Sequence, residues 1–156
     1  MIVDLAVWVL RGFGVLYVLG GLFGARAFWL TGRHEAELDV MLDTLDAINA
    51  ENEGAPAPPK RETDLGRQYW LLAGSLLLIP AGAAMALAHR LAVPLLAVVI
   101  VQQLFYFMRQ RRRELAAANA EHADEARPAP ATVNGFYSCL GVTLLAAWLS
   151  WRGALS

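Results

Sequence analysis

Arg11 is the one charge in an otherwise apolar run from Leu5 to Ala25. An arginine at the centre of a bilayer costs at least about 2.5–3.5 kcal/mol on insertion scales, so such a residue raises the prospect of an anion or substrate site. Arg11 lies about two turns from the start of its run, and Asp4 precedes it on the same helical face. It can therefore snorkel outward to Asp4 or to lipid headgroups. A second polar group sits elsewhere. Gln102 and Gln103, with Tyr106 one turn later, give one apolar run a polar face, and Asn134 and Ser138 fall at a similar depth of another run. Amides and hydroxyls in this setting either bond between helices or line a polar pocket. The glutamines and Arg11 fall in opposite halves of the membrane, so they do not form one compact catalytic set.

Other chemistry is not written into the chain. His34, His89 and His122 are dispersed, and no HExxH, HxxxH or Cys/His spacing is present. The single cysteine, Cys139, excludes an internal disulfide and reads as a small packing residue. There is no GxSxG, no phosphate-binding loop and no dinucleotide fingerprint. The expectation is a non-enzymatic protein with no cofactor, no metal and no catalytic residue. A net charge of -1 argues against a basic nucleic-acid binder.

The elements that must carry these residues are apolar spans. Of the 156 residues, 57% are hydrophobic and 17% charged, against about 25% charged in an ordinary soluble domain. Residues 69–88, 91–108 and 132–151 carry no charge, and residues 5–25 carry only Arg11. About 20 apolar residues at 1.5 Å each cross a bilayer's hydrocarbon, and backbone amides in lipid must bond within their own helix. The expected fold class is all-α: an integral membrane four-helix bundle forming a single domain, with a small helical cytoplasmic cap. Its helices should run over about 5–30, 69–88, 91–108 (extending to about 125) and 132–151, with loops at 31–68 and 109–131. The first run is not expected to be a cleaved signal peptide, since Asp4 precedes it and Arg11 interrupts it.

Ten of the thirteen basic residues flank or occupy the two long loops, while Arg90 and Arg152 lie on the opposite side. The positive-inside rule then places the long loops in the cytoplasm and both termini outside. Aromatic residues cluster near both expected interfaces, with Trp29, Trp70 and Phe107 at one and Trp8 and Trp151 at the other. One lysine against twelve arginines, in an alanine-rich chain, points to a bacterial inner membrane.

Residues 35–49 carry a stripe of Leu38, Met41, Leu42 and Leu45 at helical spacing, with acidic residues on the other faces. Anionic lipid should repel this helix. Its stripe can either cover the alanine-rich segment after Arg113 or dock a partner protein. Arg109, Arg111, Arg112 and Arg113, at the end of the third run, should attract anionic lipid headgroups. Gly20 and Gly24 form a small-xxx-small pair suited to helix packing within the bundle or to a dimer face. Pro80 and Pro94 fall inside the paired central helices and can kink them.

The run Leu10-Arg-Gly-Phe-Gly-Val-Leu-Tyr-Val-Leu-Gly20 is similar to the first helix of small four-helix DoxX-type membrane proteins over about 20 residues. The long first loop departs from that pattern, and no family is assigned on it. The expected function is binding to another membrane component, as an accessory or interaction protein, one form being an immunity protein against a membrane-active toxin. The expected partners are the bilayer, its anionic headgroups, and a membrane protein or a second copy of the chain. The alternative is a small oligomeric transporter or channel for a small solute.

Overall fold

The structure, a computed structural model, describes residues 1–53, 65–116 and 127–156. Among them are four helices and no strand: α1 Ile2–Glu53, α2 Leu65–Ala86, α3 Ala92–Ala116 and α4 Pro130–Trp151. Four segments are long and apolar enough to cross a membrane: Ile2–His34, Gln68–Ala86, Ala92–Ala116 and Pro130–Trp151. The expected all-α four-helix architecture is therefore present.

The boundaries differ most in α1. A loop beginning at residue 31 was expected, with a separate helix over 35–49. Instead one helix runs unbroken from Ile2 to Glu53. No proline interrupts it, and Thr31 donates its hydroxyl back to the Ala27 carbonyl at 2.9 Å, inside the helical ladder. A glycine such as Gly32 weakens a helix by only about 1 kcal/mol, so Thr31-Gly32 does not end one that is favoured on both sides. α3 is described as far as Ala116; its expected continuation to about 125 lies outside the described residues.

Each helix packs on the next, and α1 meets α4 to close a ring of four antiparallel neighbours. The core is apolar, and Leu10, Met85, Leu96, Leu149 and Leu155 are fully buried in it. Large apolar side chains on the outer faces of the spans are exposed, as lipid contact requires.

At one end, here the His89 end, α2 turns directly into α3. Ala88 takes a left-handed conformation (φ 53°), while its N–H and that of His89 bond the carbonyls of Met85 and Ala84 at 2.9 and 2.8 Å. This closes α2 with a Schellman motif built on alanine rather than glycine. His89 Nδ1 then accepts from the Leu91 N–H at 3.1 Å, satisfying one free donor at the start of α3. Pro94 falls in that same first turn, where its missing N–H removes no helical bond. α4 ends in a second Schellman motif at Gly153 (φ 71°), with Gly153 and Ala154 N–H bonded to Ser150 and Leu149 carbonyls.

The chain after Gly153 folds back onto the α2–α3 turn. Arg90 N–H donates to Ser156 O at 2.9 Å, Ser156 N–H to Ala88 O at 3.0 Å, and Arg90 Nε to Leu155 O at 3.1 Å. Leu155 is thereby set into the core as a plug at the His89 end.

Candidate functional site

Arg11 does not meet Asp4. Asp4 pairs with the Met1 ammonium at 2.7 Å, while the Arg11 guanidinium lies over the Trp8 ring at 5.2 Å. Trp8 is one turn before Arg11 on the face turned outward, so the cation is directed to an aromatic surface that also faces lipid. Arg11 Nε is buried without a hydrogen-bond partner.

Gln102 and Gln103 separate. Gln102 Nε2 donates to the Trp70 carbonyl at 2.9 Å and so ties α3 to α2. Gly74 gives this amide room, since a Cβ there would stand 3.1 Å from Gln102 Oε1 and press it aside by a few tenths of an ångström. Asn134 and Ser138 are exposed on the outer side of α4, so the expected cluster of Gln102, Gln103 and Ser138 does not assemble. The reason is angular: Ser138 precedes the buried Cys139 by one position, about 100° around the helix, and it is Cys139 that faces inward. Cys139 lies in the core, with Tyr17 of α1 partly buried against the same cluster.

Gln103 belongs to a different line. Ala92, Leu96, Val99, Tyr106 and Gln110 are the buried residues of α3, and Gln103 fills the missing step between Val99 and Tyr106. The inward face is thus apolar from Ala92 to Val99 and polar from Gln103 to Gln110. Tyr106 is 2% exposed and Gln110 1% exposed. Gln103 Oε1, the Tyr106 hydroxyl, and both Oε1 and Nε2 of Gln110 are buried with no hydrogen-bond partner. A buried polar group left so costs about 1–3 kcal/mol. Gln110 was not singled out in the sequence because it sits inside the arginine run. Its spacing of seven from Gln103 was the available signal.

The arginines around it divide by helical face. Arg111 and Arg112 are exposed, and Arg109 and Arg113 are half-buried. Glu114 accepts from Arg111 Nη1 at 2.8 Å and from Arg127 Nε at 3.0 Å, which ties the end of α3 to the chain entering α4. An edge-to-face pair of Phe107 and Phe136, centroids 5.4 Å apart, repeats that link about two turns inward.

The glycine contacts are also redistributed. Gly24 packs against Ser75, where a Cβ would come within 2.6 Å of the hydroxyl, but a Cβ on Gly20 would meet nothing within 4 Å. The expected Gly20–Gly24 pair is therefore not one packing face. The close approach of α1 to α2 is made by Gly14, Gly21 and Gly82 instead. Gly14 and Gly21 stand seven apart on α1, whereas Gly20 is rotated about 100° off that line.

Beyond the span, α1 continues. From Ile2 to His34 it rises about 50 Å, more than the 40–45 Å of a bilayer with its headgroups. Leu38, Met41 and Leu42 lie past that point and are 57%, 62% and 39% exposed. The alanine-rich segment after Arg113 that was expected to cover this stripe lies largely outside the described residues, as does the side chain of Leu45. No group of three or more His, Cys, Asp or Glu that could hold a metal occurs among the described residues.

Comparison with protein-family models, curated proteins and solved structures gives no match. The fold itself defines the class: a multi-pass α-helical membrane protein with four candidate spans.

Proposed function

We propose that this chain is a non-enzymatic membrane protein that acts by docking another membrane component through the part of α1 beyond the bilayer. The observation that carries this reading is the exposure of Leu38, Met41 and Leu42 on a helix that has already left the lipid. An uncovered apolar stripe in water costs stability and solubility unless something seats on it. Residues 35–53 hold seven acidic residues and no basic one. The occupant suited to it is an apolar helix flanked by Lys or Arg, on a separate membrane protein. An immunity protein that seizes a membrane-active toxin is one form of this activity.

The same reading places the α1 extension and Arg109 to Arg113 in the cytoplasm of a bacterial cell, at the inner membrane, with both termini outside. The basic residues support it by the positive-inside rule. The exposed Arg111 and Arg112 then face anionic headgroups.

Photo-crosslinking in intact membranes tests the docking. Probes at Leu38, Met41 and Leu42 should capture one heterologous partner, and a probe at Val40, on the opposite face, should not. Crosslinks to a second copy of the chain would replace the heterologous partner by a homo-oligomer. Equal labelling of both faces, or none, would end the docking reading. For topology, a reporter fused after Ser156 should be active only outside the cytoplasm.

A further inference from the structure

The inward face of α3 changes character after Val99. Towards the His89 end it carries Ala92, Leu96 and Val99, and the bundle there is shut by Leu10, Leu149 and Leu155. Towards the other end it carries Gln103, Tyr106 and Gln110, three and four residues apart, with four polar atoms buried and unbonded. Native interiors pair nearly all such atoms, and ordered molecules from solution complete the pairing where the chain does not.

We infer that this half of the bundle holds a binding site for small uncharged molecules that both donate and accept hydrogen bonds. The chemistry follows from the atoms left open. Gln103 Oε1 and Gln110 Oε1 accept, Gln110 Nε2 donates, and the Tyr106 hydroxyl does either. An occupant must therefore present both kinds of group. The three side chains carry no formal charge, and a buried ion would need a counter-charge beside it, so the occupant is neutral. Gln103 and Gln110 are separated by about 10 Å of helix rise, which suits a short chain of waters or one solute bearing hydroxyl or amide groups. The apolar seal at the His89 end makes the site a dead end and not a continuous pore. None of its residues lies on the α1 extension, so it stands apart from the docking reading.

The test uses the full, unmodified chain, isotope-labelled in lipid nanodiscs, with magnetisation transfer from water to the glutamine side-chain amides. Gln110 should show strong transfer, and Gln102, whose Nε2 is held by the Trp70 carbonyl, should show several-fold less. Glycerol and acetamide are then titrated at millimolar concentration. Saturable shifts at Gln110 and Gln103, absent at Gln102, identify a solute site. Strong water transfer without saturable shifts identifies water as the occupant. A Gln110 amide with no water transfer and no response to either probe overturns the inference. X-ray radiolytic labelling gives a second readout: Tyr106 should be hydroxylated severalfold more than the exposed-area trend for a tyrosine 2% exposed, and labelling at that trend counts against it.

Discussion

Gly14 of α1 and Gly82 of α2 meet backbone to backbone. A Cβ on either would come within 2.7 Å of the other's carbonyl oxygen. Lipid is as apolar as leucine, so close backbone approach, and not exclusion from water, is what holds membrane helices together. This contact sets the distance between α1 and α2, and through it the position of the core between them.

Leucine at Gly14 or Gly82 should therefore separate α1 from α2 and cost several kcal/mol, the range of severe overpacking at backbone contacts. Leucine at Gly20, where a Cβ meets nothing within 4 Å, should change stability by no more than about 0.5 kcal/mol. Unfolding in mixed micelles, followed by tryptophan fluorescence, separates the two outcomes.

Gln102 fastens α3 to the Trp70 carbonyl at 2.9 Å. Gln102→Leu should destabilise the bundle by only about 0.6 kcal/mol, the average for a hydrogen bond inside a membrane protein. A larger loss in the same unfolding assay would assign Gln102 a role beyond this tie.

Leu155 plugs the core at the His89 end. Leu155→Ala should lower stability by about 2–4 kcal/mol, as for other buried leucines. Deleting residues 154–156 should lower it further, since it also frees the Ala88 carbonyl and the Arg90 N–H. Thermal unfolding in detergent measures both.

Glu114 accepts from Arg111 and Arg127, whose side chains are 66% and 60% exposed. Solvent screens such pairs, so Glu114→Gln should destabilise the chain only slightly. The difference from the parent chain should vanish in about 1 M salt, where the screening length is about 3 Å.

Arg11 rests over Trp8 and not on Asp4. Arg11→Leu should insert at least as well as the parent chain in a glycosylation-mapping assay, because it removes a charge from the span. Asp4→Asn should leave the conformation of Arg11 unchanged, which Trp8 fluorescence reports.

The amino-acid order alone determined the apolar character of this protein and the number and length of its candidate spans. Those properties follow from runs of uncharged residues and from where arginines interrupt them, and lipid permits no other reading of a run such as residues 132–151. The same order marked Gln102, Gln103, Gly20, Gly24 and Ser138 by type and depth. Only the tertiary structure decided which way each one faces. One residue along a helix turns a side chain by about 100°, enough to place Cys139 in the core and Ser138 outside it, or Gly21 against α2 and Gly20 in open space. Tertiary packing likewise joined residues far apart in sequence: Gln102 with Trp70, Glu114 with Arg127, and Ser156 with Arg90. It also turned Gln110 inward from a run of arginines, and left Leu38, Met41 and Leu42 exposed on the extension of α1. Burial depends on what stands opposite a residue, and that is a property of the assembled bundle.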